Sequence, residues 1–351
     1  MDRFGIISYN KYGNFTNYGS ALQTWALSKV VDKLGKGRYR SVIVDYCPKS
    51  HIQCDILNPL ALMWDQDTES QQECQRSLPA IRINNDKFNA FFARELEWTN
   101  ARYDYRNFDQ EIANEHLNGF ICGSDTVFCI DETKGFDDGF YGNFRAMREG
   151  YTISYAASFG DSHFEEGSLN ILEERMRNFK AIGVREKFLL SYLEAHSIVP
   201  VQQTLDPTLL LRAEEYEPIT APLQLEEKYI LLYARRFNKE MFEYAELIAK
   251  EKGCRLVNIS LRASYQERGH IMRYDAGVEE FLSLVKNAEY VVTNSFHGLL
   301  FSLQFKRPFR VFKREQADTK IGEILHLNDL EERRKASLAF LEQSLNQYYT
   351  K

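Results

Sequence analysis

The sequence predicts an α/β protein whose parallel sheets are divided between two domains. Three observations lead there. Apolar strand patterns alternate with helix patterns almost end to end. At 351 residues the chain is longer than one hydrophobic core usually organises. The stretch Arg212–Lys228, rich in Glu and holding Pro218 and Pro222, interrupts the alternation and reads as a linker. The expected division is a first domain over 1–212 and a second over 228–328. A closing helix over 329–351 would cross back onto the first domain.

In chain order, Phe4–Ser8 and Ser41–Tyr46 read as strands flanking a helix over Ser20–Leu34. That helix carries Leu22, Trp25, Ala26, Val30 and Leu34 on one face. No clear pattern is visible from Pro48 to Pro79, and Asn84–Leu96 and Arg106–His116 read as helical. Strands follow at Gly119–Cys122, Tyr151–Ala156 and Ala181–Val184, with helices at Glu165–Phe179 and Glu186–Ala195. Past the linker the pattern gives strands Tyr229–Ala234, Arg255–Asn258, Glu289–Thr293 and Phe309–Phe312. Helices at Lys239–Lys252, Gly277–Asn287 and Gly298–Gln304 separate them, and Lys320–His326 and Glu331–Tyr348 close the chain.

Composition narrows the function class. Hydrophobic residues make up 44% and charged residues 27%, as in soluble globular proteins. A net charge of −6 argues against general nucleic-acid binding. The 13% aromatic content suits sugar surfaces and large cores equally. None of the six cysteines forms a C-x-x-C pair, so reduced thiols and no metal site are expected. A strand begins at once after Met1, and no apolar run approaches the ~20 residues that span a bilayer. The expectation is a cytoplasmic protein with at most a peripheral contact at the inner membrane face.

Val291–Thr293 reads as a buried strand ending at Asn294-Ser295, which can cap a helix. His297 then lies on a helix's first turn at a strand's carboxyl end, where α/β sheets hold ligands and helix N-termini attract anions. It can exchange protons beside such an anion, or it can be a core histidine. Asn17-Tyr18-Gly19-Ser20 joins the first strand to the first helix, with Ser20 a candidate cap and Gln23 one turn in. It reads as a substrate loop or a polar turn. Gly123-Ser124-Asp125 follows another strand; Asp125 can accept a sugar hydroxyl or cap a helix. Ser154–Gly160, with Ser158, is a small-residue turn that leaves room for a ligand or for tight packing. Arg185 follows a strand and can grip phosphate or carboxylate. Asp206, before Pro207, reads as fixing a turn. The basic stretch from Lys306 to Lys320 is a solvated face or the edge of an anion pocket.

Asn17–Gln23, Gly123–Asp125, Ser154–Gly160, Val184–Lys187, Asp206–Thr208 and Asn294–Gly298 stand in an order that resembles the polysaccharide pyruvyl transferase family. The resemblance runs from about Gly5 to Leu327. It implies two Rossmann-like domains facing a cleft, similar to the GT-B type. It implies transfer of a 1-carboxyethylidene (ketal) group from phosphoenolpyruvate to a sugar or glycan acceptor, free or lipid-linked, with no further cofactor. By that resemblance His297 is the acid or base, and Arg185 and Lys320 hold the phosphate and carboxylate. Asn17, Tyr18, Gly19, Ser20, Gln23, Gly123, Ser124, Asp125, Ser158, Asn294 and Ser295 line the substrates. Two departures accompany it: Thr126 follows Gly-Ser-Asp where Gln is common, and Lys320 stands where the family often has Arg. The rival enzyme reading is a GT-B-like glycosyltransferase using a nucleotide sugar. A non-catalytic glycan-binding protein is the rival outside enzymes.

Overall fold

The computed structural model describes residues 1–60, 67–160, 162–187, 189–197, 199–222, 225–312 and 329–350. Its first sheet holds β1 (Asp2–Ile7), β2 (Tyr39–Tyr46), β3 (Trp98–Tyr103), β4 (Gly119–Cys122), β5 (Thr152–Ala157), β6 (Ile182–Val184) and β7 (Val201–Gln203). These lie in the order β3-β2-β1-β4-β5-β6-β7, every pair parallel. The second sheet holds β8 (Tyr229–Tyr233), β9 (Arg255–Ile259), β10 (Ile271–Met272), β11 (Tyr290–Thr293) and β12 (Phe309–Val311). Its order is β10-β9-β8-β11-β12, again parallel throughout.

Parallel strands covered on both faces explain the apolar runs. Phe4 and Ile6 enter one core, while Ile7 enters another on the opposite face. The first of these cores is continuous between the sheets: Tyr18 and Leu22 share it with Phe281 and Val291. The first helix (Tyr18–Gly35) lies inside this core and is buried almost all round.

Both sheets reverse their strand order at one point. The chain runs outward from β1 to β2 and β3, then returns to β4 on the other side of β1. It repeats this with β8, β9 and β10, then β11. Such reversal leaves a crevice beyond the carboxyl ends of the two central strands, where α/β proteins place ligands. Here the loops after β1 and β4 and the loops after β8 and β11 line one shared cleft.

The structure corrects several expectations. The region read as patternless holds the first part of a helix spanning Thr68–Glu95, with Pro79 inside it, and the rest takes in most of the helix expected over Asn84–Leu96. This helix bridges the two sheets: Asn84 donates to the Ala276 carbonyl at 2.5 Å, and Lys87 pairs with Glu280 at 2.5 Å. Its polar, proline-bearing first half hid the helical period. β3 and β7 were not expected; both are edge strands with half-exposed, polar residues. The segment Arg106–His116 holds only a turn of α-helix (Phe108–Glu111) and one of 3-10 helix (Ile112–Glu115). Glu186 precedes its helix, which spans Leu190–His196. Asn17, not Ser20, caps the first helix, by accepting from the Gly19 N–H.

The helix Leu330–Asn346 lies against the first sheet. Tyr151 donates to the Ser344 carbonyl, and Tyr348 packs edge-on to Phe4 at 5.5 Å between ring centres. The expected helix over Lys320–His326, and Lys320 itself, lie outside the described residues. Among the described residues no helix is long and apolar enough to cross a membrane.

Candidate active site

The cleft encloses about 1150 Å³, part of it open to solvent. Its second-sheet wall is made by Arg235 and Arg236 after β8, and by Ser295, Phe296 and His297 after β11. Thr293 ends β11, and Ser295 caps the next helix by accepting from the Gly298 N–H at 3.3 Å. His297 therefore sits in the first turn, beside a helix N-terminus.

The imidazole is 7% exposed and lies between two groups of the first domain. Its Nε2 is 3.3 Å from Asp206 Oδ2, and its Nδ1 lies against the bare face of Gly19. A Cβ on Gly19 would meet that nitrogen at 2.0 Å, closer than any real contact. Gly19 is therefore required by close approach across the cleft, not by a turn. Gly19→Ala is expected to displace the ring. We expect turnover to fall about a hundredfold, because small misplacements of reacting groups cost that much. Steady-state kinetics of the purified variant check this.

Asp206 meets two side chains at one oxygen. Arg185 Nη2 lies 2.9 Å from Oδ2, the same atom that faces His297. Both approaches are ion-pair contacts off the hydrogen-bond line. Oδ1 accepts from the Thr208 N–H and hydroxyl. Burial pushes the carboxyl up, but Arg185 first, then His297 and Thr208, outweigh it and hold it well below the usual carboxylate range. Asp206 therefore fixes its turn, as the sequence suggested, and also anchors the Arg185 and His297 side chains. The turn itself is held from several directions. Ser337 of the last helix accepts from the Leu205 N–H at 3.0 Å, Arg334 donates to the Leu209 carbonyl at 2.6 Å, and Tyr216 donates to the Thr208 carbonyl at 2.8 Å.

Arg185 is 7% exposed yet lines the cleft. It donates to Ser124 Oγ at 2.6 Å, and its guanidinium centre is 5.2 Å from the Phe296 ring. Its Nε has no hydrogen-bond partner among the described residues. Arg235 reaches across the domains to the Thr16 carbonyl at 3.2 Å and lies 4.1 Å over the Phe15 ring. It was not singled out from the sequence, because no motif marks the end of β8.

The first-sheet wall is different in character. Asp125 follows β4 with φ +73°, a left-handed conformation that Asp tolerates better than most residues. It caps no helix, contrary to one sequence reading: the next helix starts at Ile130. Instead Oδ1 accepts from the Thr126 N–H, and Oδ2 accepts from the Ser20 hydroxyl at 2.5 Å. Glu132 lines the same wall and accepts from the Thr126 hydroxyl. The cleft thus carries arginines from both sheets and two carboxylates from the segment after β4.

The other residues expected to touch substrate divide in two. Asn17 and Ser20 line the cleft. Gln23, Gly123, Ser124, Ser158 and Asn294 are buried behind it. Gln23 donates to Ser8 Oγ at 2.8 Å and accepts from the Ser124 N–H at 3.2 Å, tying the β1 loop to the β4 loop. Gly123 has φ +122°, and a Cβ there would meet the Tyr155 carbonyl oxygen at 2.2 Å. The Ser158 N–H donates to the Asp125 carbonyl. Asn294 accepts from the Arg235 N–H and donates to the Arg236 carbonyl. These five support the wall and do not face the opening. Tyr18 is also displaced from the expected role. Its ring stacks on Phe281 at 4.3 Å, and its hydroxyl donates to the Ala276 carbonyl. It joins the domains and lines a neighbouring pocket instead. Of the basic stretch, Arg307 donates to the Phe305 carbonyl and Arg310 lies over Tyr244, away from the cleft.

Solved structures with the same architecture include S. aureus MnaA in a co-structure with UDP, with TM-score 0.53, 13% identity and coverage of 99% of this chain and 91% of that one. The UDP-GlcNAc 2-epimerase of Methanocaldococcus jannaschii gives TM-score 0.54 at 13% identity, covering 97% and 92%. That of Rickettsia bellii gives 0.51 at 12%, covering 100% and 96%. At such identity the likeness concerns the fold, which is GT-B-like. Among curated proteins no significant match is found. The polysaccharide pyruvyl transferase profile matches residues 17–316, which takes in Gly19, Asp125, Arg185, Asp206 and His297, and the chain belongs to that family.

Proposed function

We propose that the protein transfers a pyruvyl group from phosphoenolpyruvate to two hydroxyls of a sugar in a surface polysaccharide or its precursor, forming a cyclic ketal. The observation that carries this reading is the mixed lining of the cleft. Arg185, Arg235, Arg236 and His297 line it together with Asp125 and Glu132. A small donor with a phosphate and a carboxylate needs groups of the first kind. A polyhydroxylated acceptor suits the carboxylates.

The steps balance as follows. A proton passes to the methylene carbon of phosphoenolpyruvate, and the neighbouring carbon becomes electrophilic. One sugar hydroxyl oxygen bonds to that carbon, and a second hydroxyl then displaces phosphate. Of the two hydroxyl protons, one replaces the proton given to the methyl group and the other leaves with phosphate. His297 Nδ1, the ring nitrogen on the Gly19 side, is the group proposed to deliver and recover the proton. Asp206 holds the opposite nitrogen, and Arg185 offsets negative charge on the departing phosphate. Lys320 remains proposed as a further anion ligand from the family resemblance.

Ligand-induced thermal shifts test the donor. Phosphoenolpyruvate is expected to raise the melting temperature, since a ligand bound only by the folded state stabilises it. UDP-GlcNAc is expected to leave it unchanged. The reverse pattern would support a nucleotide-sugar enzyme and overturn this reading.

A further inference from the structure

The loop after β1 carries enclosed polar atoms that make no hydrogen bond among the described residues. Tyr9 and Asn10 are each 8% exposed, and both line the first-sheet wall of the cleft. The Tyr9 hydroxyl and Asn10 Nδ2 have no hydrogen-bond partner among the described residues. Asn14 Oδ1, on the same loop, has none either. Groups so enclosed are normally satisfied, by protein, by water or by a ligand. Here they share the wall with Asp125 and Glu132.

Their positions are held firmly. The Tyr9 ring packs against Phe140 at 4.8 Å and His51 at 5.2 Å. Its backbone carbonyl accepts from Gln23. Burial first, then Glu132 and Asp137, push the phenol well above its usual range, so it remains a hydroxyl that can both donate and accept. Asn10 Oδ1 already accepts from the Lys11 N–H, which leaves its amide nitrogen as the donor toward the cleft.

We propose that Tyr9, Asn10 and Asn14 form the acceptor subsite, and that with Asp125 and Glu132 they select a neutral pyranose over a carboxylated one. The chemistry of the wall is the reason. It offers a phenol, an amide donor, an amide carbonyl and two carboxylates, all suited to sugar hydroxyls. A uronic acid would bring a third carboxylate beside the two, and like charges at close range oppose binding. Asp125 and Glu132 are thus the specificity-determining residues, and Tyr9 and Asn10 supply hydrogen bonds to the sugar. This inference rests on the ketal-transfer reading, because it assumes that a sugar acceptor enters the cleft beside Asp125 and Glu132.

The test measures binding of three probes by NMR titration: methyl β-D-galactopyranoside, methyl β-D-glucuronide and phosphoenolpyruvate. The wild-type protein is compared with Tyr9→Phe, Asn10→Ala and Glu132→Gln. The neutral glycoside is expected to bind about tenfold more tightly than the glucuronide, and Glu132→Gln to narrow that gap. Tyr9→Phe and Asn10→Ala are each expected to weaken the neutral glycoside about fivefold, the loss of one hydrogen bond, while the phosphoenolpyruvate constant holds. Tyr9→Phe is also expected to melt no lower than wild type, since the hydroxyl it removes has no hydrogen-bond partner among the described residues; a merely structural role would lower it. Equal binding of glucuronide and neutral glycoside, no binding of either, or weakening of the donor in place of the glycoside would each overturn the subsite. Intact glycoside selectivity without phosphoenolpyruvate binding would instead overturn the donor reading alone.

Discussion

Replacing His297 with glutamine is expected to slow ketal formation by about 10²–10⁴-fold, the usual contribution of a positioned acid or base. Phosphoenolpyruvate should still bind, because Arg185 and the helix N-terminus remain. The expected signature is a collapse of kcat with the donor KM changed by no more than about threefold, read from phosphate release at varied donor concentration. Near-wild-type phosphate release by the variant would remove His297 from the chemistry. The geometry argues for the larger effect. The ring is fixed between Asp206 and Gly19, and no other histidine lines the cleft among the described residues.

Asp206→Asn is expected to damage stability as well as turnover. The wild-type carboxylate lies fully buried with the Arg185 guanidinium and the His297 ring beside it. Removing one partner of a buried pair leaves the other charge uncompensated, at about 3–5 kcal/mol. Arg185 would keep its hydrogen bond to Ser124 and its contact with the Phe296 ring, neither of which carries a compensating charge. Denaturant unfolding would show the loss. Its pH dependence follows from the lowered carboxyl. A group whose folded value is depressed stabilises the protein above its unfolded value and loses that contribution as pH falls through the folded one. The gap between wild type and variant should therefore stay constant from neutral pH down to about pH 4 and narrow below that. A variant as stable as wild type at neutral pH would show that the carboxylate does not anchor Arg185.

The residues of the site were legible in the sequence to different depths. His297 could be placed because an apolar β-branched run, a capping serine and a helix signal stand in succession around it. Asp206 was visible only as a turn residue. Its second task depends on Arg185, twenty-one positions earlier, and on His297 in the other domain, and such distances leave no local signature. Gln23, Ser158 and Asn294 belong to motifs at strand ends, yet they tie loops together behind the wall. Motif position tells that a residue is near a cleft; it does not tell which way the side chain faces. Tyr9, Asn10 and Arg235 escaped notice for the opposite reason. They follow strands whose ends carry no motif, and only the strand order shows that β1 and β8 border the point where each sheet reverses.

The fold was legible where period and burial agree. The central strands are apolar because helices cover both faces. The edge strands β3 and β7 are only partly covered and carry polar residues, so they look like loop. The helix Thr68–Glu95 fails the same test at its first half, where Pro79 and polar residues mask it. Its contacts explain why it persists. Arg262 of the second domain reaches Glu69 at 3.0 Å, Ser264 N–H donates to Glu73, and Asn84 meets the Ala276 carbonyl. Tertiary packing sustains a helix that local propensity alone would not announce.

Running the reaction in heavy water addresses the central claim most directly. The protein is given phosphoenolpyruvate and neutral methyl glycosides, phosphorus NMR follows the donor, and mass spectrometry examines the product. We expect phosphate to appear only when a glycoside is present, and the new ketal methyl group to carry solvent deuterium in wild type but not to form with His297→Gln. Phosphoenolpyruvate left intact while UDP-GlcNAc is consumed under the same conditions would contradict the account.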